Sequence, residues 1–230
     1  MSMRYAVYFS PAKHSDWWSF GAHWLGRDEH DNTALPQPPV PGLSPAELES
    51  ITAEPRRYGF HATLKAPFHL SAGHQEADLI ARLGRLARAL APVPLGPVQA
   101  ATLGTFVALV PATPPVTLQT LAAACVTGLD DLRAPLSEAE IARRSGAGLD
   151  ARATELLALH GYPHVLERFR FHMTLTGPVQ PPTAQAVSRA VASQITALGR
   201  EPLSLDRLCL FVERGPGAPF QRVIDLRLGA

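Results

Sequence analysis

Polar and apolar residues alternate in the same way in two stretches of the chain, residues 58–68 and 169–179. Both stretches contain the pattern Phe-His-x-Thr-Leu-x-x-Pro. Residues two apart in a strand point to the same face, so His61 shares a face with Thr63, and His172 shares a face with Thr174. The residues on the opposite faces are apolar, and they are Ala62, Leu64, Met173 and Leu175. The pattern predicts two strands, each with one buried face and one face of histidine and threonine.

The rest of the chain repeats one order of elements around these two strands. Apolar residues at helical spacing predict a helix after each motif strand, and shorter apolar runs predict two strands after each helix. The predicted helices cover residues 79–90 and 187–198, the second ending at Gly199, and the predicted strands cover 98–102, 106–110, 203–212 and 221–228. The repeated units therefore extend over roughly residues 56–112 and 165–230.

This order of elements predicts an α+β fold in a single bilobed domain over residues 1–230. Two lobes related by a pseudo-twofold axis would each hold an antiparallel sheet with helices on its outer face. The inner faces of the two sheets would carry the His/Thr pairs and meet across a cleft. Five prolines between residues 36 and 45 predict an extended connection, and the sequence leaves open whether residues 28–45 form a lid.

The composition is that of a globular chain with almost no net charge. Apolar residues make up 46% of the chain. It has 21 basic and 20 acidic side chains, which gives a net charge of +1. This charge provides no broad positive field for extended nucleic acid, and it favours a small anionic ligand held by local charges. Cys125 and Cys209 lie in apolar segments and are expected in the core. We expect a cytoplasmic monomer with no membrane contact.

No metal site or cofactor is expected from the sequence. His160 and His164 have the spacing of a helical zinc pair, but Gly161 and Pro163 between them prevent a regular helix. The sequence contains no Cys-x-x-Cys, Walker or nucleophile-elbow motif. The two repeated motifs are therefore the main candidates for chemistry.

Two histidines that face one cleft can divide general acid–base catalysis, because imidazole titrates near neutral pH. One would accept a proton from the attacking group, and the other would donate a proton to the leaving oxygen on the far side of a phosphorus atom. The threonine hydroxyls would stabilise the non-bridging oxygens. The predicted catalytic residues are His61, Thr63, His172 and Thr174. The neighbouring residues assigned to substrate binding are Lys65, Arg170, Arg57 and Tyr58.

Three other interpretations of the repeat stay open. The repeat could record only a duplicated fold unit, with the His/Thr pairs kept for packing. The cleft could belong to a non-catalytic module that binds an RNA end or a phosphorylated metabolite. An RNA ligase is a third reading, which the absence of a basic groove weakens. The symmetric motif also does not tell which histidine is the base.

The doubled His-x-Thr-Leu motif resembles the 2H phosphoesterase superfamily. Three segments, residues 17–28, 54–65 and 168–178, look like the DUF1045 family, whose members are described as phosphonate-metabolism proteins. The resemblance implies a bilobed α+β enzyme that opens or closes cyclic phosphodiesters, or joins 2′–5′ linkages, without a metal. It implies His61, Thr63, His172 and Thr174 as the catalytic set. The substrate class implied is a small cyclic phosphate or 2′-linked phosphodiester, such as a sugar or nucleotide phosphate, with an RNA end left open.

Overall fold

The computed structural model describes residues 3–145, 148–198 and 202–229. Its strands, in chain order, are β1 (Arg4–Phe9), β2 (Ala62–Phe68), β3 (Val93–Pro94), β4 (Val98–Leu103), β5 (Phe106–Pro111), β6 (Met173–Thr174), β7 (Ser204–Leu205), β8 (Arg207–Glu213) and β9 (Gln221–Arg227). Its helices are α1 (Asp16–Leu25), α2 (Pro45–Arg56), α3 (Glu76–Ala89), α4 (Val116–Thr127), α5 (Glu138–Ser145), α6 (Ala151–His160) and α7 (Pro181–Leu198). The predicted helix end at Gly199 lies outside the described residues.

Seven strands form one antiparallel sheet, in the order β4-β5-β6-β2-β1-β8-β9. The two motif strands, β2 and β6, are neighbours at the centre of this sheet, where Ala62 pairs with Met173. The prediction of two separate sheets is therefore wrong. In two separate sheets, each motif strand would have had an edge with unpaired backbone N–H and C=O groups. In the observed sheet the two motif strands pair with each other, and these groups form hydrogen bonds.

The two repeated units exchange strands within this sheet. The hairpin β4-β5 follows the first motif along the chain, yet β5 pairs with β6 of the second motif. The hairpin β8-β9 follows the second motif, yet β8 pairs with β1 beside β2. The segments of roughly residues 56–112 and 165–230 therefore do not form two separate sheets. A further two-stranded ladder joins β3 to β7.

The main hydrophobic core lies on one face of the large sheet. The four apolar motif residues Ala62, Leu64, Met173 and Leu175 are at most 2% exposed and belong to this core, as predicted from the alternation. Helices α3, α4 and α7 contact the strands, and α1 packs against α2 and α7. Both cysteines are buried and free, as predicted. Among the described residues, no helix is both long enough and apolar enough to cross a bilayer.

A smaller cluster packs on the opposite face of the sheet. Its buried members are Ala6, Tyr8, Cys209, Phe211 and Phe220. The residues of β1 that alternate with Ala6 and Tyr8 lie in the main core instead. Because successive side chains of a strand point to opposite faces, the face that carries Tyr8 is also the face on which the His/Thr pairs lie.

Candidate active site on the central strands

The four motif residues lie together on one face of the sheet. Extending the Ala62–Met173 pair by one residue in each direction of the antiparallel register places Thr63 beside His172 and His61 beside Thr174. The two histidines then occupy one diagonal of a four-cornered group, and residues so placed in an antiparallel pair have Cα atoms about 7–8 Å apart and Cβ atoms somewhat closer. We refer to His61, Thr63, His172 and Thr174 as the His/Thr quartet.

A cavity of about 550 Å³ opens on this face of the sheet. His61, Thr63 and Thr174 line it. His172 is not among the lining residues, but its ring lies 5.9 Å, centroid to centroid, from the ring of Phe106, which does line the cavity. The quartet thus contributes three of its members to the cavity wall and places the fourth at its margin.

The two imidazoles are oriented in the same way. Nδ1 of His61 lies 2.8 Å from the carbonyl oxygen of Gly59, and Nδ1 of His172 lies 2.8 Å from the carbonyl oxygen of Arg170. A carbonyl oxygen only accepts, so each Nδ1 carries the proton, and Nε2 of the neutral ring holds a lone pair. Nε2 of His61 is 3.3 Å from Oγ1 of Thr63. The two backbone carbonyls therefore leave both Nε2 atoms available for proton transfer.

The environment of His61 disfavours its charged form. Its ring stacks on the ring of Tyr8 with centroids 3.8 Å apart, and the ring of Phe211 lies 6.2 Å away. Burial lowers the pKa of His61 to about 4, the Gly59 carbonyl opposes this shift, and the nearby His172 adds to it. His61 is therefore neutral at pH 7, in the protonation state that a general base requires.

The turn before His61 depends on the backbone conformation of Gly59 and on hydrogen bonds from the buried Arg27. Gly59 has a φ of 80°, a left-handed conformation that favours glycine, and a Cβ there would lie 2.8 Å from Cβ of Glu29. The Arg27 guanidinium donates to the carbonyl oxygens of Arg56 and Arg57 at 2.7 and 3.1 Å. These contacts hold the backbone two and three residues before Gly59, whose carbonyl orients the His61 ring.

Two of the four residues predicted to bind substrate line the cavity. Arg57 and Tyr58 are both in its wall, and the Arg57 guanidinium lies 5.3 Å from the centroid of the Tyr58 ring. Arg57 also forms an ion pair with Glu213. The side chain of Arg170 is exposed and does not line the cavity, and only its carbonyl contacts the site, through His172.

The prediction that Lys65 lies on the face of His61 is wrong. The register between β1 and β2 shifts between Tyr8 and Val7, so that Tyr8 pairs with Thr63 but Val7 pairs with Lys65. Val7 belongs to the main core. The shift turns Lys65 towards α4, where its ammonium donates to the carbonyl of Val126 at 2.9 Å and to Asp130 at 3.0 Å.

Several cavity residues were not identified from the sequence. They include Arg4, Tyr8, Glu54, Phe106, Arg143, Arg144 and Tyr162. These residues come from β1, α2, β5, α5 and the segment after α6, so no single local pattern joins them. The alternation of Arg4, Ala6 and Tyr8 along β1 is the one signal that could have placed two of them on the motif face.

The proline-rich connection does not border this cavity. Residues of that segment, among them Pro38, Pro39 and Val40, line a separate depression beside α2. Among the described residues, the group with metal-ligand geometry is Asp28, Glu29 and His30. None of these three lines the cavity, and Lys13 and Arg222 already pair with the two carboxylates.

Comparison with known proteins gives relatives that are longer than this chain. A protein of Janthinobacterium sp. (strain Marseille), "Ribose 1,5-bisphosphate phosphokinase PhnN", is 42% identical over 221 residues, which cover 94% of this chain and 49% of the relative. A protein of the same name from Laribacter hongkongensis (strain HLHK9) is 38% identical over 219 residues, covering 95% of this chain and 50% of the relative. The chain thus spans about half the length of these curated relatives.

A solved structure titled "Crystal structure of phosphoesterase" is similar to the chain with a TM-score of 0.44 and 15% sequence identity, over 99% of both chains. Residues 63–221 match the family described as "Protein of unknown function (DUF1045)". This match begins two residues after His61 and includes all of β6 and all of β2 except Ala62. Because it covers more than half of the chain, the chain belongs to the DUF1045 family.

Proposed function

We propose that the chain is a phosphodiesterase of the 2H type, which opens a small cyclic phosphate or cleaves a 2′-linked phosphodiester by acid–base catalysis with two histidines. The observation that carries the proposal is the His/Thr quartet on adjacent central strands, in which both Nδ1 atoms are tied to carbonyls and both Nε2 atoms are left for proton transfer. In this view the two halves of the sheet are the two lobes of a 2H arrangement in one domain.

His61 is the proposed general base. Its lowered pKa keeps Nε2 unprotonated at neutral pH, so it can accept the proton of a water molecule as the water oxygen attacks phosphorus. The bond from phosphorus to one ester oxygen then breaks. His172, acting as the imidazolium that carries a proton on each nitrogen, donates its Nε2 proton to the departing oxygen, and the product is a phosphomonoester with a free hydroxyl. The two roles exchange in the reverse direction.

The diagonal arrangement of the histidines suits in-line displacement. A separation of about 7–8 Å between the Cα atoms of diagonal residues leaves room for one phosphoryl group beyond the tips of the two rings. Thr63 and Thr174, on the other diagonal, can then donate to the two non-bridging oxygens. Such donors stabilise the charge that redistributes over these oxygens in the transition state. No step in this scheme requires a metal ion.

The names of the relatives favour a sugar phosphate as the substrate. Both are named ribose 1,5-bisphosphate phosphokinase, but this chain spans about half of their length, so we do not extend the kinase activity to it. A phosphodiesterase that opens a cyclic phosphate of a pentose would produce a sugar phosphate of the kind that such a kinase uses. The same PhnN names support a role in phosphonate metabolism.

Turnover of a panel of cyclic phosphates in the presence of a chelator tests the proposal. We expect hydrolysis of at least one five-membered cyclic sugar or nucleotide phosphate. His61→Ala and His172→Ala should each lower kcat by about 10²–10⁴-fold, the usual effect of losing a general acid or base. His74→Ala is the matched control, because His74 is exposed and does not line the cavity, and it should keep full activity.

Other outcomes separate the competing functions. Strict dependence on added metal, or full activity in His61→Ala, would contradict the proposed mechanism. Ligand that binds and is recovered intact would indicate a binding module for an RNA end or a metabolite. Joined 2′–5′ products from RNA ends would indicate a ligase.

A further inference from the structure

The cavity continues along the sheet beyond the His/Thr quartet to a group of arginines. Arg4 and Tyr8 lie on the same face of β1, and four residues of strand separate their Cα atoms by about 13 Å. Arg4 lines the cavity, as do Arg143 and Arg144 on α5. The cavity therefore has the quartet and Tyr8 at one end, and it reaches the backbone of Arg4 at the other. The Arg4 guanidinium itself lies 5.6 Å from the centroid of the Phe220 ring and shares Glu213 with Arg57, a fourth arginine of the cavity wall.

The guanidinium of Arg144 is held in place by carbonyl oxygens. It donates to the carbonyl of Pro67 at 2.7 Å and to the carbonyl of Gly161. Neither partner carries a full negative charge, so these contacts orient the group without neutralising it. Burial lowers the pKa of Arg144, Glu140 opposes the shift, and the positive charges of Arg143 and Arg4 add to it. The arginines at this end of the cavity thus repel one another.

Arg143 is exposed and has no hydrogen bond or ion pair with any residue that the structure describes. Arg4 pairs with Glu213, but Arg57 pairs with the same carboxylate. Arg4 and Arg57 therefore share the single negative charge of Glu213, while Arg143 has no carboxylate partner among the described residues. An anion that reached this end would gain charge-assisted hydrogen bonds and relieve the repulsion between the cations.

We infer that Arg4, Arg143 and Arg144 form a second anion subsite, which binds a phosphomonoester on the substrate at the opposite end from the phosphodiester being cleaved. The inference rests on the proposed function only in placing the phosphodiester at the His/Thr quartet. The substrate class is then a small sugar that carries two phosphate groups, one cyclic and one a monoester. A cyclic phosphate without the second group would fill only one end of the cavity.

The subsite is tested by binding, which requires no turnover. Titration calorimetry would compare ribose 1,5-bisphosphate with ribose 1-phosphate, two ligands that differ only in the second phosphate. We expect the wild-type protein to bind the bisphosphate at least about tenfold more tightly, the equivalent of one hydrogen bond to a charged group. Arg143→Ala should lose most of this preference, and Arg143→Glu should reverse it.

Arg85→Ala is the matched control, because Arg85 is also an exposed helical arginine without a described partner, and it lies outside the cavity. It should keep the preference. Thermal melting of each variant would show that the fold is intact. Equal affinity of the wild type for both ligands, or an unchanged preference in both Arg143 variants, would overturn the subsite. Hydrolysis of cyclic phosphates is measured in a separate assay. A negative binding result would therefore refute the subsite and leave the proposed function open to its own test.

Discussion

The ring of Tyr8 lies face to face with the imidazole of His61, with centroids 3.8 Å apart and planes inclined by 26°. The contact follows from the sheet register, because Tyr8 on β1 pairs with Thr63, two residues after the histidine. The Tyr8 ring covers one face of the imidazole and contributes to the burial that lowers its pKa to about 4. Tyr8 is thus a positioning residue that also sets the protonation state of the proposed base.

Replacing the Tyr8 ring should raise the pKa of His61. In Tyr8→Leu, water would reach one face of the imidazole, and the pKa of His61 should move from about 4 towards 6.5. The acidic limb of the pH profile of kcat/KM should move upward with it. Tyr8→Phe keeps the ring and should keep the profile. Histidine titration by NMR measures the same shift without turnover, and an unchanged pKa in Tyr8→Leu would refute the role of the ring.

His61 should also make the stability of the fold depend on pH. Its pKa is about 4 in the folded protein and 6.5 in an unfolded chain, so the unfolded state binds more protons between these values. The free energy of unfolding should therefore fall as the pH falls from 6.5 to 4. Between about pH 7 and pH 5 the contribution of this group is on the order of 1–2 kcal/mol.

Urea denaturation of the wild type and His61→Gln at both pH values isolates this contribution from that of the other titrating groups. The wild type should lose more stability than the variant on acidification. Equal losses would show that the imidazole is as well solvated in the folded protein as in the unfolded chain.

The alternation within each motif was sufficient to predict the two faces of the motif strands. Leu64 and Leu175 are buried and His61 faces the cavity, because the period of a strand is a local property of the sequence. The pairing of β2 with β6 was not predictable in the same way. It joins residues that are far apart in the chain, and no local pattern specifies which edge meets which.

A strand alternation also fails where the register shifts. Counting in twos from His61 placed Lys65 in the site, whereas one irregularity in the pairing with β1 turned it into the core. Pro67 is the one mark of irregular pairing in this segment, because a proline inside a central strand has no N–H to donate and is found at bulges, but it does not specify that the shift falls at Lys65. The positions of the cavity arginines were not predictable from the sequence for another reason. These arginines belong to separate elements, which come together only in the folded chain.

Lys65 should therefore matter for stability and not for substrate binding. Its buried ammonium bridges β2 to the carbonyl of Val126 and to Asp130. Lys65→Met would leave that carbonyl without its donor, and Asp130 would keep Arg133 as a partner. We expect a loss of about 1–3 kcal/mol in the free energy of unfolding, as for a buried polar group that loses its partner.

The KM of Lys65→Met for a cyclic phosphate substrate should be unchanged at a temperature where the variant is folded. A KM raised tenfold or more without a loss of stability would indicate that Lys65 contributes to substrate binding. Chemical denaturation and steady-state kinetics on the same preparation decide between the two roles.

Gly59 should be essential for the orientation of His61. A Cβ at this position would require a left-handed backbone, which costs about 1–2 kcal/mol for a residue other than glycine, and it would lie 2.8 Å from Cβ of Glu29. Glu29 is fully buried and paired with Arg222, so it has little freedom to move. In Gly59→Ala the turn must shift, and the carbonyl that holds Nδ1 of His61 shifts with it.

We expect Gly59→Ala to lower kcat by tenfold or more, since a displacement of about 1 Å in a catalytic group has effects of this size or larger. Gly73→Ala is the matched control, because Gly73 has a φ of 89° and open space where a Cβ would be built. It carries the same backbone strain and no steric conflict, so it should lose stability but not activity. If both variants lost activity equally, the effect would come from stability alone, and the Gly59 carbonyl would have no separate role in orienting the imidazole.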